Sequence, residues 1–155
     1  MRLFRRVAAA VLLVAPLSAC ATLPPAQPAP ASVTSLVGTK WRLVQFQSAE
    51  DSIGTIKPDD PSHYTMELMP GGQLAMQLNC NRASGRWEAR AASPTDGHIS
   101  FIAPVMTRAM CLGPSMDERI ARDLEFVTSY RLVGDTLNLA LKADSGIYTW
   151  RRLSP

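Results

Sequence analysis

The sequence lacks the short motifs that mark common hydrolases, metalloproteases and nucleotide-binding enzymes. No two glycines have the spacing of a serine nucleophile elbow, no serine stands three residues before a lysine, and no HExxH or phosphate-loop motif is present. The two histidines, His63 and His98, have no recognised spacing from a cysteine. These absences disfavour an enzyme, and we predict no catalytic residue, no cofactor and no metal site.

The first apolar run, Val7 to Leu17, has only eleven residues, whereas a membrane-spanning helix needs about 20. It follows a basic start, which is typical of a secretory signal peptide. The stretch ends Leu17-Ser18-Ala19-Cys20 and resembles the lipobox of bacterial lipoproteins, whose cysteine receives a diacylglyceryl group before the chain is cut. We therefore predict a signal peptide over residues 1–19 and a lipid anchor at Cys20.

The residue after the cysteine bears on localisation. Ala21 stands where aspartate is associated with inner-membrane retention, so the lipobox resemblance implies the periplasmic face of the outer membrane. Two or three acyl chains hold a protein there durably, whereas one chain holds only marginally.

Little net charge remains outside the predicted signal. The formal charge of +3 comes from Arg2, Arg5 and Arg6, and the remaining chain has 13 Lys+Arg against 13 Asp+Glu. This balance gives no support to binding of nucleic acid or of an anionic membrane, and we predict no nucleic-acid partner.

Residues 20–35 differ in composition from the rest of the chain. Four prolines stand among alanines and small polar residues, a composition that favours an extended, disordered spacer of at most about 45 Å at roughly 3.1 Å per residue. Residues 36–155 have the length of one domain. We predict a lipidated tether over residues 20–35 and a single folded domain after it.

Alternating apolar residues predict a mainly β domain. In the first strand Trp41, Leu43 and Gln45 are expected on one side, and Pro70-Gly71-Gly72 has the backbone freedom of a hairpin turn. Short strands with one helix predict a small antiparallel barrel or roll of about eight strands. The predicted strands are Thr39–Phe46, Tyr64–Leu68, Leu74–Leu78, Ser84–Arg90, His98–Ile102, Tyr130–Val133, Thr136–Leu141 and Ile147–Arg152.

One helix is predicted from Met116 to Phe126. Ser115 and Glu118 have the spacing of a capping box, and Gly113-Pro114 ends the segment before it. Met116, Ile120, Leu124 and Val127 would share one face, which we expect to plug or cap the core.

With Cys20 acylated, Cys80 and Cys111 remain in a compartment that oxidises thiols. Such a pair is most simply a disulfide, which would stabilise the fold by about 3.5 kcal/mol. The alternatives are a reactive thiol, which needs a basic partner, and a metal site.

Several segments together resemble one known family. They are Trp41-Arg42-Leu43, Gly72-Gln73-Leu74, Asn79-Cys80-Asn81-Arg82 with Gly85 and Trp87, Thr107-Arg108-Ala109-Met110-Cys111, an acidic helix, and Leu137-x-Leu139. In this order they resemble the META domain, also called the HslJ-like domain. The resemblance implies a barrel-like β fold found in envelope lipoproteins and a bacterial heat-shock protein, with no established enzymatic activity.

The chain departs from the family at two positions. Asn79 replaces a usual glycine, and asparagine is the residue other than glycine that best adopts a left-handed backbone. Trp87 replaces a frequent tyrosine, which retains packing but loses a hydroxyl.

The candidate site consists of Asn79, Asn81 and Arg82, which flank Cys80. We expect them to tie the turn to neighbouring backbone, with ligand or partner binding as the alternative. Glu67 and Glu88 could form an acid and base pair, but strand glutamates are usually solvated.

The methionines and tryptophans are expected to pack rather than bind. Met106 and Met110 precede Cys111 and could suit Cu(I), but we expect core filling, with Met110 beside the disulfide. The tryptophans Trp41, Trp87 and Trp150 are expected in core or rim packing.

The favoured function is a non-catalytic envelope module that binds a periplasmic protein or supports envelope integrity under stress. One alternative is an inhibitor of a cell-wall lytic enzyme, because small disulfide-bonded barrels on lipid anchors include lysozyme inhibitors; Ala91–Gly97 is its candidate recognition loop. Another is a carrier of a small apolar ligand, although a helix inside the barrel would leave little room.

Overall fold

The structure is a computed structural model that describes residues 36–154. The predicted signal peptide, Cys20 and the tether lie outside the described residues. The elements are β1 Thr39–Ser48, β2 Thr55–Ile56, β3 Tyr64–Met69, β4 Gln73–Leu78, β5 Asn81–Ala91, β6 Asp96–Met106, α1 Asp117–Asp123, β7 Val127–Val133, β8 Thr136–Leu141 and β9 Gly146–Arg152.

Eight of these strands form a closed antiparallel barrel. Strands β3 to β9 follow one another in the sheet, and β1 closes it by pairing with both β3 and β9. The two-residue strand β2 adds only a short pairing to the far part of β1. The predicted small barrel of about eight strands with one helix is confirmed.

Alternation along β3 and β4 builds one wall of the core. The registered pairs Tyr64–Leu78, Met66–Met76 and Leu68–Leu74 place six apolar side chains opposite one another, and all six are buried. The predicted turn Pro70–Gly72 joins the two strands, with Gly71 at φ 74° and Gly72 at φ 73°. These two strands therefore have the inward face that the sequence pattern indicates.

The expectation that Gln45 faces inward with Trp41 and Leu43 is wrong. The register of β1 against β9 shifts between Leu43 and Gln45, and such a bulge reverses the faces of the residues after it. Phe46 consequently enters the core, where its ring centroid lies 4.5 Å from that of Tyr148.

The helix closes one end of the barrel. Strand β6 pairs with β7 at only three positions, from Asp96↔Arg131 to His98↔Ser129, and α1 with the following 3-10 turn Leu124–Phe126 packs against the rest of β6. Ile120 and Leu124 are buried in the core. The predicted capping role of the helix is confirmed; no helix within residues 36–154 has the length and hydropathy to cross a membrane.

The predicted capping box is not formed. The residue at the N-cap is Met116, which makes no side-chain capping bond, and the α-helix covers Asp117–Asp123 before a 3-10 last turn. The hydroxyl of Ser115 bonds to Tyr64 and Asn79, and it accepts the backbone N–H of Asp117 at 3.4 Å. Tertiary hydrogen bonds have therefore been added to a local bond that differs from the predicted box.

The barrel has two distinct ends. The capped end carries α1, the turn Asn79-Cys80 and the segment 107–116. The entry end is where the described chain begins at Leu36 and where the turns Pro70–Gly72, 92–95 and 134–135 lie. Because consecutive strands are antiparallel, the start of β1 and the end of β4 lie at opposite ends.

A polar cluster around the disulfide

Cys80 and Cys111 are joined at the capped end. Their sulfurs form a disulfide with an S–S distance of 2.04 Å and a Cα–Cα distance of 5.5 Å. Cys80 stands in the turn between β4 and β5, whereas Cys111 lies in the segment that leads from β6 to α1. The bond thus pins this segment to the turn, and neither sulfur is free to act as a nucleophile or a metal ligand.

Asn79 supplies the backbone conformation that the turn requires. Its φ is 57°, in the left-handed region. This conformation is the one expected at a position where the family usually has glycine. Its Nδ2 donates to Ser115 Oγ at 3.1 Å, and its backbone N–H donates to the carbonyl of His63 at 2.9 Å. Asn79 therefore shapes the turn and also links it to the residues before the helix.

Asn81 is the centre of the cluster and is 1 % exposed. Its Nδ2 donates to Asp117 Oδ2 at 2.6 Å and to the carbonyl of Ala109 at 3.0 Å. Its Oδ1 accepts from Thr107 Oγ1 at 2.9 Å and from the backbone N–H of Ala109 at 2.8 Å. One buried amide therefore connects β5, the segment 107–116 and the helix, which agrees with the expected tie between the turn and neighbouring backbone.

Asp117 is the buried acidic partner in this cluster. Burial alone would raise the pKa of its carboxyl, but hydrogen bonds from Ser115, from Asn81 and from backbone N–H groups outweigh that effect and hold the pKa below its ordinary value. The carboxylate is therefore ionised at neutral pH, so its bond with Asn81 is charge-assisted.

Two tyrosines fasten the helix to the barrel. Tyr64 Oη accepts the backbone N–H of Met116 at 3.1 Å, next to the start of α1. Tyr148 Oη donates to Asp123 Oδ2 at 2.7 Å, at the last residue of α1. Burial, together with the hydrogen bond to Asp123 and the charge of Asp123, raises the pKa of Tyr148. Both helix ends are thus fixed by side chains from barrel strands.

Arg82 differs from its two asparagine neighbours. Its backbone N–H donates to Thr107 Oγ1 at 3.0 Å, and its carbonyl accepts the N–H of Thr107 at 3.0 Å, but its side chain is exposed. It borders an open polar depression of about 350 Å³ lined by Gln77, Asn79, Cys80, Asn81, Arg82 and Thr107. The structure therefore brings all three candidate residues to the disulfide, with the Arg82 side chain at the surface.

The prediction that Met110 packs beside the disulfide is wrong. Met110 is 96 % exposed and Leu112 is 98 % exposed. Cys111 between them is turned inward to reach Cys80, so its neighbours project into solvent. Met66 and Met76 lie in the core as expected, and among residues 36–154 no group of three or more His, Cys, Asp or Glu side chains could hold a metal ion.

Glu67 and Glu88 both lie on the outer face of the barrel. Glu67 Oε2 is 3.8 Å from Lys40 Nζ, and the side chain of Glu88 is exposed beside the buried Trp87. Since neither carboxylate enters the interior, the structure does not bring them together as an acid and base pair.

The three tryptophans pack in the core, as expected. Trp41, Trp87 and Trp150 are between 0 and 4 % exposed. The indole N–H of Trp87 donates to the carbonyl of Met69, and that of Trp41 donates to Thr39 Oγ1. None of the three forms a ligand cage at the surface.

The candidate recognition loop Ala91–Gly97 is a tight turn. Asp96 Oδ2 accepts from Ser93 and Thr95, and Asp96 Oδ1 lies 2.6 Å from Arg131 Nε. The hydrogen bonds from Thr95, Arg131 and Ser93 lower the pKa of Asp96. The turn is thereby held against β7, at the entry end of the barrel.

The sequence does not predict that residues in and before α1 take part in the polar cluster. The pattern assigns Ser115 only to a local cap, and it does not single out Asp117 or Asp123. One signal is present, because Asp117 and Asp123 each stand three residues from Ile120 and so share its buried face. Acidic residues on the apolar face of a short helix predict buried partners elsewhere in the chain.

The comparisons with known proteins agree with this geometry. The META domain family model matches residues 34–152. The chain belongs to the META domain family. The resemblance identified from the sequence is thus confirmed for the META domain, and the small β-barrel fits a non-catalytic envelope protein.

Two solved structures share the fold. An NMR structure of a protein from Burkholderia xenovorans is similar with a TM-score of 0.63 and 17 % identity, covering 87 % of this chain and 97 % of that one. A crystal structure of a DUF4847 family protein from Bacteroides vulgatus is similar with a TM-score of 0.51 and 14 % identity, covering 75 % and 93 % respectively. No curated protein matches the chain. At these identities the two structures support the fold alone.

Proposed function

We propose that the protein is an outer-membrane lipoprotein, anchored through Cys20, whose META domain is a non-catalytic module. In this proposal the domain binds another periplasmic protein or supports envelope integrity under stress. The lipobox supports the anchor, and the Cys80–Cys111 disulfide supports an oxidising compartment such as the periplasm.

The observation that carries the non-catalytic role is the saturation of the polar cluster. The amide of Asn81 uses both of its ends on Asp117, Thr107 and Ala109 within the fold. Tyr64 and Tyr148 are likewise bonded to the helix region. A catalytic group needs a polar atom that can meet a substrate, whereas these polar atoms already hold the capped end together.

The filled interior argues against the ligand carrier. Trp41, Trp150, Met66 and Ile99 are at most 2 % exposed and pack in one continuous core. Two depressions on the described surface are open to solvent; one borders the disulfide, and the other is lined by residues of β5, β6 and β7 such as Glu88, His98 and Ile99. Because the core itself is filled, we do not extend the proposal to an apolar ligand.

Crosslinking in intact cells tests the proposal. The full chain with a C-terminal tag is compared with a signal-bearing Cys20→Ser variant that cannot be acylated. The wild-type protein should fractionate with the outer membrane and yield a discrete protein adduct, whereas the variant, which is neither acylated nor cut and keeps its signal peptide, should be absent from the outer-membrane fraction. Repeated failure to obtain an adduct from correctly anchored protein would contradict the binding role, and wild-type protein in the soluble fraction would contradict the anchor.

A further inference from the structure

The most exposed large apolar side chains of the described domain stand on either side of Cys111. Met110 and Leu112 are 96 % and 98 % exposed, whereas the other exposed large apolar residues range from 39 to 64 %. Two almost completely solvated apolar side chains, separated by a single residue, are costly to leave in water.

Their exposure is fixed by the fold. The Cys80–Cys111 disulfide holds the residue between them, and Asn81 binds both the N–H and the carbonyl of Ala109. Thr107 is bonded to the backbone of Arg82 through its own N–H and hydroxyl. The buried network of the capped end therefore presents the two side chains outward; we name residues 107–112 the apolar loop.

Exposed cations lie beside the apolar loop. The side chains of Arg108, within the loop, and Arg82, at the start of the adjacent strand β5, are both exposed. Of the acidic residues that follow, Asp117 is buried against Asn81, and Glu118 is exposed on the helix. Two aliphatic tips next to two guanidinium groups match a phospholipid surface, which offers hydrocarbon below and phosphate above.

The small apolar area of this patch favours a membrane over a protein. A stable protein interface buries about 1,200 Å² or more, and two side chains give a fraction of that. Their burial corresponds to a dissociation constant on the order of 1 mM. Such a weak contact is occupied only when the surface is held close to the domain. A short tether gives an effective concentration in the millimolar range, which is comparable to this dissociation constant.

We propose that Met110 and Leu112 insert into the phospholipid leaflet to which Cys20 anchors the domain, while Arg82 and Arg108 meet lipid phosphates. The inference rests on the anchor in the proposed function and adds a second, reversible membrane contact. It holds the domain with its capped end against the bilayer.

The tether must then be long enough to pass the barrel, because the apolar loop and Leu36 lie at opposite ends. The six residues of β3 connect the two ends, and at roughly 3.3 Å per residue they span about 20 Å. The predicted spacer reaches about 45 Å at roughly 3.1 Å per residue, so it suffices. Deleting residues 22–31 would leave about 15 Å by the same measure and should prevent the contact.

Vesicle binding tests the loop without the anchor. The mature chain with Cys20→Ser is suitable, because its barrel and core close within residues 36–154. On vesicles of phosphatidylethanolamine and phosphatidylglycerol, Met110→Ser with Leu112→Ser should lower the partition coefficient at least tenfold. The matched control Val133→Ser, an exposed apolar residue at the entry end, should leave it unchanged. Equal binding by both variants would overturn the inference.

Photo-crosslinking tests the contact in the anchored protein. A photoreactive residue at position 112 in intact cells should give phospholipid adducts, and one at position 133 should not. The deletion of residues 22–31 should abolish adducts at position 112 while the protein remains in the membrane fraction. Protein adducts instead of lipid adducts at position 112 would overturn the inference, whereas loss of wild-type protein from the membrane fraction would overturn the anchor itself.

Discussion

At the entry end of the barrel, Leu36 and the rings of Trp41 and Trp150 are withdrawn from solvent mainly by apolar packing, and the Arg152 guanidinium carbon lies 4.4 Å from the centroid of the Trp41 ring. At the capped end, Asn81 and Asp117 are withdrawn from solvent by bonding to each other and to backbone. Apolar packing tolerates substitutions that conserve volume, whereas a buried polar network needs all of its members. The two ends should therefore respond differently to changes of the same size.

Loss of the disulfide should have the largest effect. Cys80→Ser with Cys111→Ser should lower the free energy of unfolding by about 3.5 kcal/mol, because the unfolded chain regains the entropy of the closed loop. Urea unfolding of oxidised wild type and of the variant measures the change. A loss below about 1 kcal/mol would mean that the hydrogen bonds alone hold the segment 107–116.

Asn81→Ala should have the second largest effect and lower the free energy of unfolding by about 3 kcal/mol. It leaves Asp117 and both backbone groups of Ala109 without their buried partner. The control is Asn79→Ala, which should cost about 1 kcal/mol, mainly for its left-handed φ of 57°. Urea unfolding compares the two. Equal costs would contradict the central place of Asn81.

Two Tyr→Phe substitutions test whether a buried hydroxyl matters only when it is hydrogen-bonded. Tyr148→Phe should cost about 1 to 2 kcal/mol, because the Asp123 carboxylate loses a buried donor. Tyr130→Phe should be within about 0.5 kcal/mol of wild type, since the Tyr130 hydroxyl is buried and has no hydrogen-bond partner among the described residues. Thermal unfolding of both variants distinguishes them, and the reverse order would refute the assigned bond.

The smallest expected effect is on pH dependence. The folded-state pKa of Asp117 is lowered, so its contribution to stability is fully present above its unfolded value near 3.8 and is lost as pH falls through the folded pKa. Asp117→Asn should therefore flatten the decline of stability below about pH 5. The exposed Asp60 and the partly exposed Asp96, whose pKa values are also lowered, should leave a residual slope in the dependence of stability on pH.

Urea unfolding at stepped pH compares wild type with Asp117→Asn. The curves should approach each other as pH falls and separate toward neutrality. Parallel curves over the whole range would show that the Asp117 carboxylate does not contribute through its charge.

Features of the fold that depend on local sequence are predicted well, and features that depend on distant strands are not. The alternation Tyr64, Met66, Leu68 is local, and burial of one sheet face determines it, so β3 and its register with β4 follow from the pattern. The bulge in β1 is not visible in this way, because it depends on pairing with β9 about a hundred residues later. Gln45 is consequently assigned to the wrong face.

The candidate site divides along the same line. The cysteine count and the predicted oxidising compartment suffice to pair Cys80 with Cys111, and the left-handed tendency of asparagine suffices for Asn79. The bond between Asn81 and Asp117 joins residues 36 apart in sequence, and nothing local specifies it. The exposure of Met110 is equally invisible, because it depends on the direction in which Cys111 turns.

The central claim is that the three cysteines divide two tasks, with lipid on Cys20 and the capped end held by Cys80 and Cys111. Mass spectrometry of peptides from the membrane-extracted protein, prepared without reductant, tests this most directly. We predict an acylated N-terminal peptide beginning at Cys20 and one crosslinked peptide containing Cys80 and Cys111. An unmodified Cys20, or free thiols at Cys80 and Cys111, would contradict the account.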